Sequence, residues 1–176
     1  MLKTGHESSI KYYHNVIIWN FVLVDDINRK ILRILQADAT VPVAEIAEKV
    51  GLSTTPCWRR IQSLERSGLI QRRVALLDRQ KLNVGVTVFV RLKTNQHNYE
   101  WLEGFAKAVA DIEEVVEFYR MSGDVDYLLK IVVPDIDSYD AVYKRLIKSA
   151  DLSAVSSSFA MEEIKHTTAV PVDYAT

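Results

Sequence analysis

The sequence predicts an α+β protein of two parts, an N-terminal winged helix-turn-helix domain followed by a C-terminal ferredoxin-like βαββαβ domain. Three observations predict it. Apolar residues recur at helical spacing from Asp25 to Gly68 and are interrupted by a three-residue turn. After Lys81 strand-like and helix-like patterns alternate in the order βαββαβ. The charge is divided between the two halves. Residues 49–79 hold seven basic side chains against Glu65 and Asp78, a local +5, whereas residues 81–176 hold 10 basic and 15 acidic ones, although the whole chain of 176 residues carries only −1. Such a split points to one module that faces nucleic acid and another that does something else. The expected organisation is an extension over 1–23, a DNA-binding domain over 24–80 and a second domain over 81–176.

Residues 1–23 show no clear period. They read either as an ancillary extension or, through Ile17, Ile18, Trp19 and Phe21, as a segment that packs on the domain or on a partner subunit. From Asp25, the residues Ile27, Ile31, Ile34 and Leu35 form the stripe of a first helix. A second helix follows Pro42, a first-turn residue, buries Val43, Ile46, Ala47 and Val50, and ends at Gly51. Ser53 is the expected N-cap of a third, with the stripe Cys57, Ile61 and Leu64 and its end at Gly68. Only Gly51, Leu52 and Ser53 separate the second and third helices, which is the connection of a helix-turn-helix.

The second helix of such a pair enters the major groove of double-stranded DNA. A helical wheel places Thr55, Arg59, Ser63 and Arg66 on its outward face, with Arg60 and Gln62 on the flanks. Arginine there suits guanine, and the hydroxyls of Ser53, Thr54 and Thr55 suit phosphates or base edges near the helix start. Leu69 to Leu77 is expected to close the domain as a hairpin, the wing. There Arg72 and Arg73 either meet phosphates or form an exposed basic surface. Trp58 lies at the edge of the buried stripe and is read as core packing. Cys57 is read as a structural thiol.

In the second half, strands are expected over Val84–Leu92, Val115–Ser122, Tyr127–Val133 and Val155–Ile164. Helices are expected around Trp101–Ile112 and from the cap Asp137 through Leu146. With both helices on one face of the sheet, its other face needs a cover, for which a second subunit is the obvious candidate. A lone cysteine excludes an intramolecular disulfide and a multi-cysteine metal site. No metal site and no cofactor are expected. The short apolar run Val16–Val24 falls far below a bilayer span, and a cytoplasmic protein with no membrane partner is expected.

From about Leu23 onward the chain resembles the Lrp/AsnC (leucine-responsive regulatory protein/asparagine synthase regulator) family of transcriptional regulators. The marks are Asp25-Asp26-Ile27-Asn28-Arg29-Lys30-Ile31-Leu32, Val50-Gly51-Leu52-Ser53-Thr54-Thr55-Pro56-Cys57, Leu64-Glu65-Arg66-Ser67-Gly68-Leu69-Ile70, Ser122-Gly123-Asp124-Val125-Asp126-Tyr127-Leu128-Leu129 and Ser157-Ser158-Phe159-Ala160-Met161-Glu162-Glu163-Ile164-Lys165. Two residues depart from the pattern: Asn28, where aspartate is usual, and Pro42, where a serine or threonine cap is usual. The resemblance implies a homodimer that assembles into tetramers or octamers, and a small effector, usually an amino acid, in the second domain. It places that site around Gly123, Asp124, Val125, Asp126 and Tyr127 and the last strand, with Ser157. A glycine turn exposes backbone N–H groups to a carboxylate and Asp124 or Asp126 suits an ammonium, though Gly123-Asp124 taken alone reads equally well as a tight turn. Thr54-Thr55-Pro56-Cys57-Trp58, Val74-Ala75-Leu76-Leu77-Asp78 and Ser156-Ser157-Ser158-Phe159-Ala160-Met161 resemble the cysteine-responsive branch, which implies L-cysteine as effector. Two other readings stand beside the specific regulator, which is expected not to be an enzyme. One is an enzyme like the siroheme decarboxylases, which share this scaffold; against it, His6, His14, His97 and His166 lack metal-ligand spacing. The other is an architectural protein that coats DNA with little sequence preference.

Overall fold

The computed structural model describes residues 24–175, so the readings placed on 1–23 lie outside the described residues. These residues form two units, one of residues 24–76 with 164–175 and one of Leu77–Glu163.

In the first unit, α1 (Asp26–Ala37) starts where the Asp25 carboxylate accepts the Asn28 N–H at 2.7 Å. It buries Ile31 and Leu32, with Ile27, Ile34 and Leu35 packed beside them. Helix α2 (Val43–Val50) has Pro42 as its N-cap rather than inside its first turn, without a side-chain cap bond. It ends at Gly51, whose φ of 73° is the left-handed conformation that glycine adopts without strain. The Leu52 N–H closes that turn onto the Ala47 carbonyl at 2.8 Å. Helix α3 (Thr54–Arg66) follows directly. Ser53 occupies its N-cap with extended backbone, but its hydroxyl makes no cap bond. Ile31, Ile46, Cys57, Ile61 and Leu64 meet in one core.

The expectations for the wing and for the C-terminal tail fail in this unit. Residues 69–78 contain no strand, so the expected wing hairpin is not formed. Leu69 to Leu77 has no glycine, proline, asparagine or aspartate to reverse the chain, and a hairpin needs such a turn. Residues 164–175, assigned by sequence to the second domain, belong to the first unit instead. Val172, in a single 3-10 turn (Val172–Tyr174), is buried in the helix-turn-helix core. Gln36 clamps the Val170 backbone from both sides, accepting its N–H at 2.7 Å and donating to its carbonyl at 3.2 Å. Arg33 pairs with Asp173, and Arg29 donates to the Ala175 carbonyl at 2.8 Å. Helix α1 provides all three anchors.

The second unit contains β1 (Val86–Lys93), α4 (Tyr99–Ala110), β2 (Val115–Arg120), β3 (Tyr127–Val133), α5 (Ile136–Ser149) and β4 (Ala154–Phe159). The order β2-β3-β1-β4, antiparallel throughout, is the ferredoxin-like arrangement. Val88, Val90 and Leu92 lie opposite Ile131, Leu129 and Tyr127, and this face packs with Phe105, Val109, Val142 and Leu146 of the helices. The cap of α5 is Asp135, which accepts the Ser138 N–H at 2.7 Å; the expected cap, Asp137, lies in the first turn. Strand β4 ends at Phe159, short of the expected Ile164.

Because α1 and the tail share a core, Val172→Ala should destabilise the first unit by about 1–2 kcal/mol. Amide hydrogen exchange is expected to accelerate at Ile31 and Leu32 and to stay unchanged at Leu129 and Ile131; equal acceleration in both units would refute the assignment of the tail.

Candidate DNA interface and effector region

The core stripe of α3 dictates what its other side offers. With Cys57, Ile61 and Leu64 inward, Thr54, Thr55, Arg59, Ser63 and Arg66 are exposed together with Ser53, and Arg72 is exposed beyond the helix. This is a polar, basic surface starting at the turn that follows α2.

Three of the predicted DNA-facing residues are engaged by the protein. Arg60 is turned back to α1, donating to the Asp25 carboxylate at 2.6 Å and the Asn28 side-chain oxygen at 3.0 Å. Gln62 donates to Glu65 at 2.9 Å, and Arg73 pairs with the other oxygen of Glu65, also at 2.9 Å. Arg60 is thus a link between helices rather than part of the outward face, because Asp25 and the buried Asn28 offer it two acceptors on its own side of α3. The Asn28 N–H, supported by Arg60, holds the Asp25 carboxyl below the ordinary aspartate range. Trp58, expected in the core, is 51% exposed. Cys57 is buried as expected, and desolvation pushes its thiol up, away from the reactive thiolate.

In the second unit, the connection between β2 and β3 carries the predicted effector residues. Gly123 has φ 103°, a conformation that favours glycine. Asp124 is exposed and pairs with Lys93 at the end of β1, 3.0 Å away. Asp126 is fixed by the fold: its carboxylate accepts the Thr94 N–H at 2.8 Å, its own N–H donates to the Leu92 carbonyl, and its carbonyl accepts from Met121. Val125 is half-buried between them. Tyr127 turns into the core, its ring 5.6 Å from that of Phe118 and 5.7 Å from that of Trp101. Burial pushes its phenol up. The Ser157 hydroxyl is hydrogen-bonded to the Tyr139 hydroxyl. The connection and the end of β1 therefore come together, with Ser157 on β4 held by α5. Lys93 and Thr94, missed in the sequence reading, are signalled only by their position, just beyond Leu92, which pairs with Tyr127.

Residues 87–170 match the Lrp/AsnC ligand binding domain, and residues 24–65 match the AsnC-type helix-turn-helix domain. The chain belongs to the Lrp/AsnC family of DNA-binding transcriptional regulators. It is 50% identical over 149 residues to the glutamate uptake regulatory protein of Zymomonas mobilis, covering 85% of this chain and 91% of that protein. It is 47% identical over 152 residues to the DNA-binding transcriptional activator DecR of Escherichia coli, covering 86% of this chain and all of that one. Among solved structures, an AsnC family transcriptional regulator from Agrobacterium tumefaciens superposes with a TM-score of 0.84 at 62% identity, covering 86% of this chain and 99% of that chain. A transcriptional regulator from Neisseria meningitidis in complex with L-methionine superposes with a TM-score of 0.81 at 32% identity, covering 85% and 97%. Among the described residues, no helix is long and apolar enough to cross a membrane.

Arg60→Ala leaves two acceptors on α1 short of a donor and should cost about 1–2 kcal/mol of stability. The folded-state pKa of Asp25 lies below its unfolded value near 4. Its contribution is therefore complete above that value and lost as pH falls through the folded one. Thermal melts of the wild type are expected to lose more stability between pH 6 and pH 3 than those of Asp25→Ala; parallel curves would show that the carboxylate contributes nothing.

Proposed function

We propose that this protein is a sequence-specific transcriptional regulator of amino-acid metabolism that reads DNA through α3, responds to an amino acid bound by the second unit, and acts as a homodimer or a larger assembly of dimers. The observation that carries the reading is the exposed surface of Thr54, Thr55, Arg59, Ser63 and Arg66 on the second helix of a helix-turn-helix, in a chain that also contains the family's ligand binding domain. Arg59 and Arg66 suit base edges, the hydroxyls of Ser53, Thr54 and Thr55 suit the backbone at the helix start, and Arg72 suits a phosphate. Arg60 acts indirectly, by orienting α3.

For the effector, the Lys93–Asp124 pair supplies the two charges that an amino acid would take up: carboxylate to the ammonium of Lys93 or to the backbone around Gly123, ammonium to Asp124. The complex of the Neisseria relative with L-methionine supports an amino acid as the ligand class. The resemblance of Thr54–Trp58 and Ser156–Met161 to the cysteine-responsive branch makes L-cysteine the first candidate. In such a switch the effector acts by its differential affinity for two states. The named relatives are regulators, which favours this role over catalysis.

Binding to a site selected from a random DNA pool, with and without excess unselected competitor, separates a specific regulator from a coating protein through the ratio of affinities. Arg59→Ala is expected to cost about 1–3 kcal/mol on the selected site and to relax base preference, whereas Arg72→Ala should weaken all sequences alike and lower the salt slope by about one unit. Identical behaviour of the two variants would remove the division between base and phosphate contacts. In thermal-shift titrations with single amino acids, L-cysteine should raise the melting temperature at millimolar concentration; a shift with another amino acid alone would reassign the effector.

A further inference from the structure

One large side chain of α3 has no part in the base and phosphate contacts of the proposed interface. Trp58 is 51% exposed, on the same helix as Thr54, Thr55 and Arg59. At about 100° per residue it stands roughly 90° from the centre of the buried stripe, on the flank bounded by Thr54, Thr55 and Gln62. A helical side chain leans toward the N-terminus, so the indole covers the turn of Thr54 and Thr55, in the part of a recognition helix whose side chains reach base edges. Its surface neighbours are uncharged, and the two charges nearest in sequence that remain exposed are positive, Arg59 and Arg66, both on α3. Glu65, the only acid of α3, is engaged by Gln62 and Arg73.

A single exposed apolar residue on an ordinary helix needs no explanation. Trp58 differs in its location: a groove-entering helix brings it against DNA, where thymine methyl groups and deoxyribose are the apolar partners on offer. From this placement we infer that Trp58 is a specificity-determining residue, packing its indole on the apolar edge of the DNA between the backbone held by Thr54 and Thr55 and the base read by Arg59, with a preference for thymine. The inference rests on the proposal that α3 is the recognition helix. An apolar contact of this kind releases no counterions, so it adds affinity for the correct sequence without adding to the salt dependence.

The test uses the full chain and DNA selected from a random pool by the wild-type protein. Trp58→Ala should weaken binding to the selected site five- to fiftyfold and to unselected DNA less than twofold, with an unchanged salt slope. Reselection with the variant should lose one thymine preference, and Trp58→Phe should restore part of both. The difference in acrylamide quenching between wild type and Trp58→Phe isolates the Trp58 indole, which should become shielded when the selected DNA is added; this measurement stands even if Trp58→Ala folds poorly. An indole that stays accessible in the complex, or affinities within twofold of wild type for a folded Trp58→Ala, would overturn the inference. So would loss of dimers on gel filtration with DNA preference intact, which assigns Trp58 to a subunit interface. Failure of the wild type to enrich any sequence would instead refute the specific-regulator reading.

Discussion

The reach of Arg60 from α3 back to Asp25 and Asn28 is the constraint on which the DNA-binding half depends. Helices of 12, 8 and 13 residues have little stability alone, so their directions are set by what they pack on. Cys57, Ile61 and Leu64 hold α3 against its neighbours, but burial of apolar surface is non-directional. The planar guanidinium of Arg60, bound to two acceptors on α1, adds direction. The same Asp25 that starts α1 thus helps aim α3, and Thr55, Arg59 and Ser63 inherit their positions from that junction. Its acidic member also ties the arrangement to protonation, since the carboxylate is needed in both tasks.

Much of this was legible in the sequence because period and punctuation agree. The stripe of Ile27, Ile31, Ile34 and Leu35, the left-handed stop at Gly51 and the cap position of Ser53 define the helix-turn-helix, and strand alternation after Lys81 defines the sheet order. Side-chain destinations were less legible. Arg59 and Arg60 are adjacent and chemically identical, and only an acceptor 35 residues away decides that one is outward and the other turned back. Trp58 falls at the boundary of the helical stripe, where the wheel does not choose a side. Two aspartates, Asp135 and Asp137, compete for one cap. The expected wing rests on apolar residues on either side of Arg72 and Arg73, without the turn that a hairpin requires.

In the connection between β2 and β3, two kinds of signal conflict. The alternation of Tyr127 with Leu129, Ile131 and Val133 puts all four on one face, and the structure buries all four. The family resemblance groups Tyr127 with the glycine turn. Period decides where the ring goes, and Tyr127 belongs to the core of the second unit. Asp126, with three hydrogen bonds from backbone and side chain, shapes the connection, while exposed Asp124 keeps its charge available to exchange partners.

The tail of residues 164–175 has a consequence for how the protein is made. Val172 completes the core that Ile31, Ile46 and Leu64 begin, yet the whole of residues 77–163 is synthesised in between. On the ribosome the helices emerge first and must wait, with α1 lacking its last packing partner, until the ligand-binding half has been translated. A chain that ends before residue 172 therefore lacks the side chain that closes the core beneath α1.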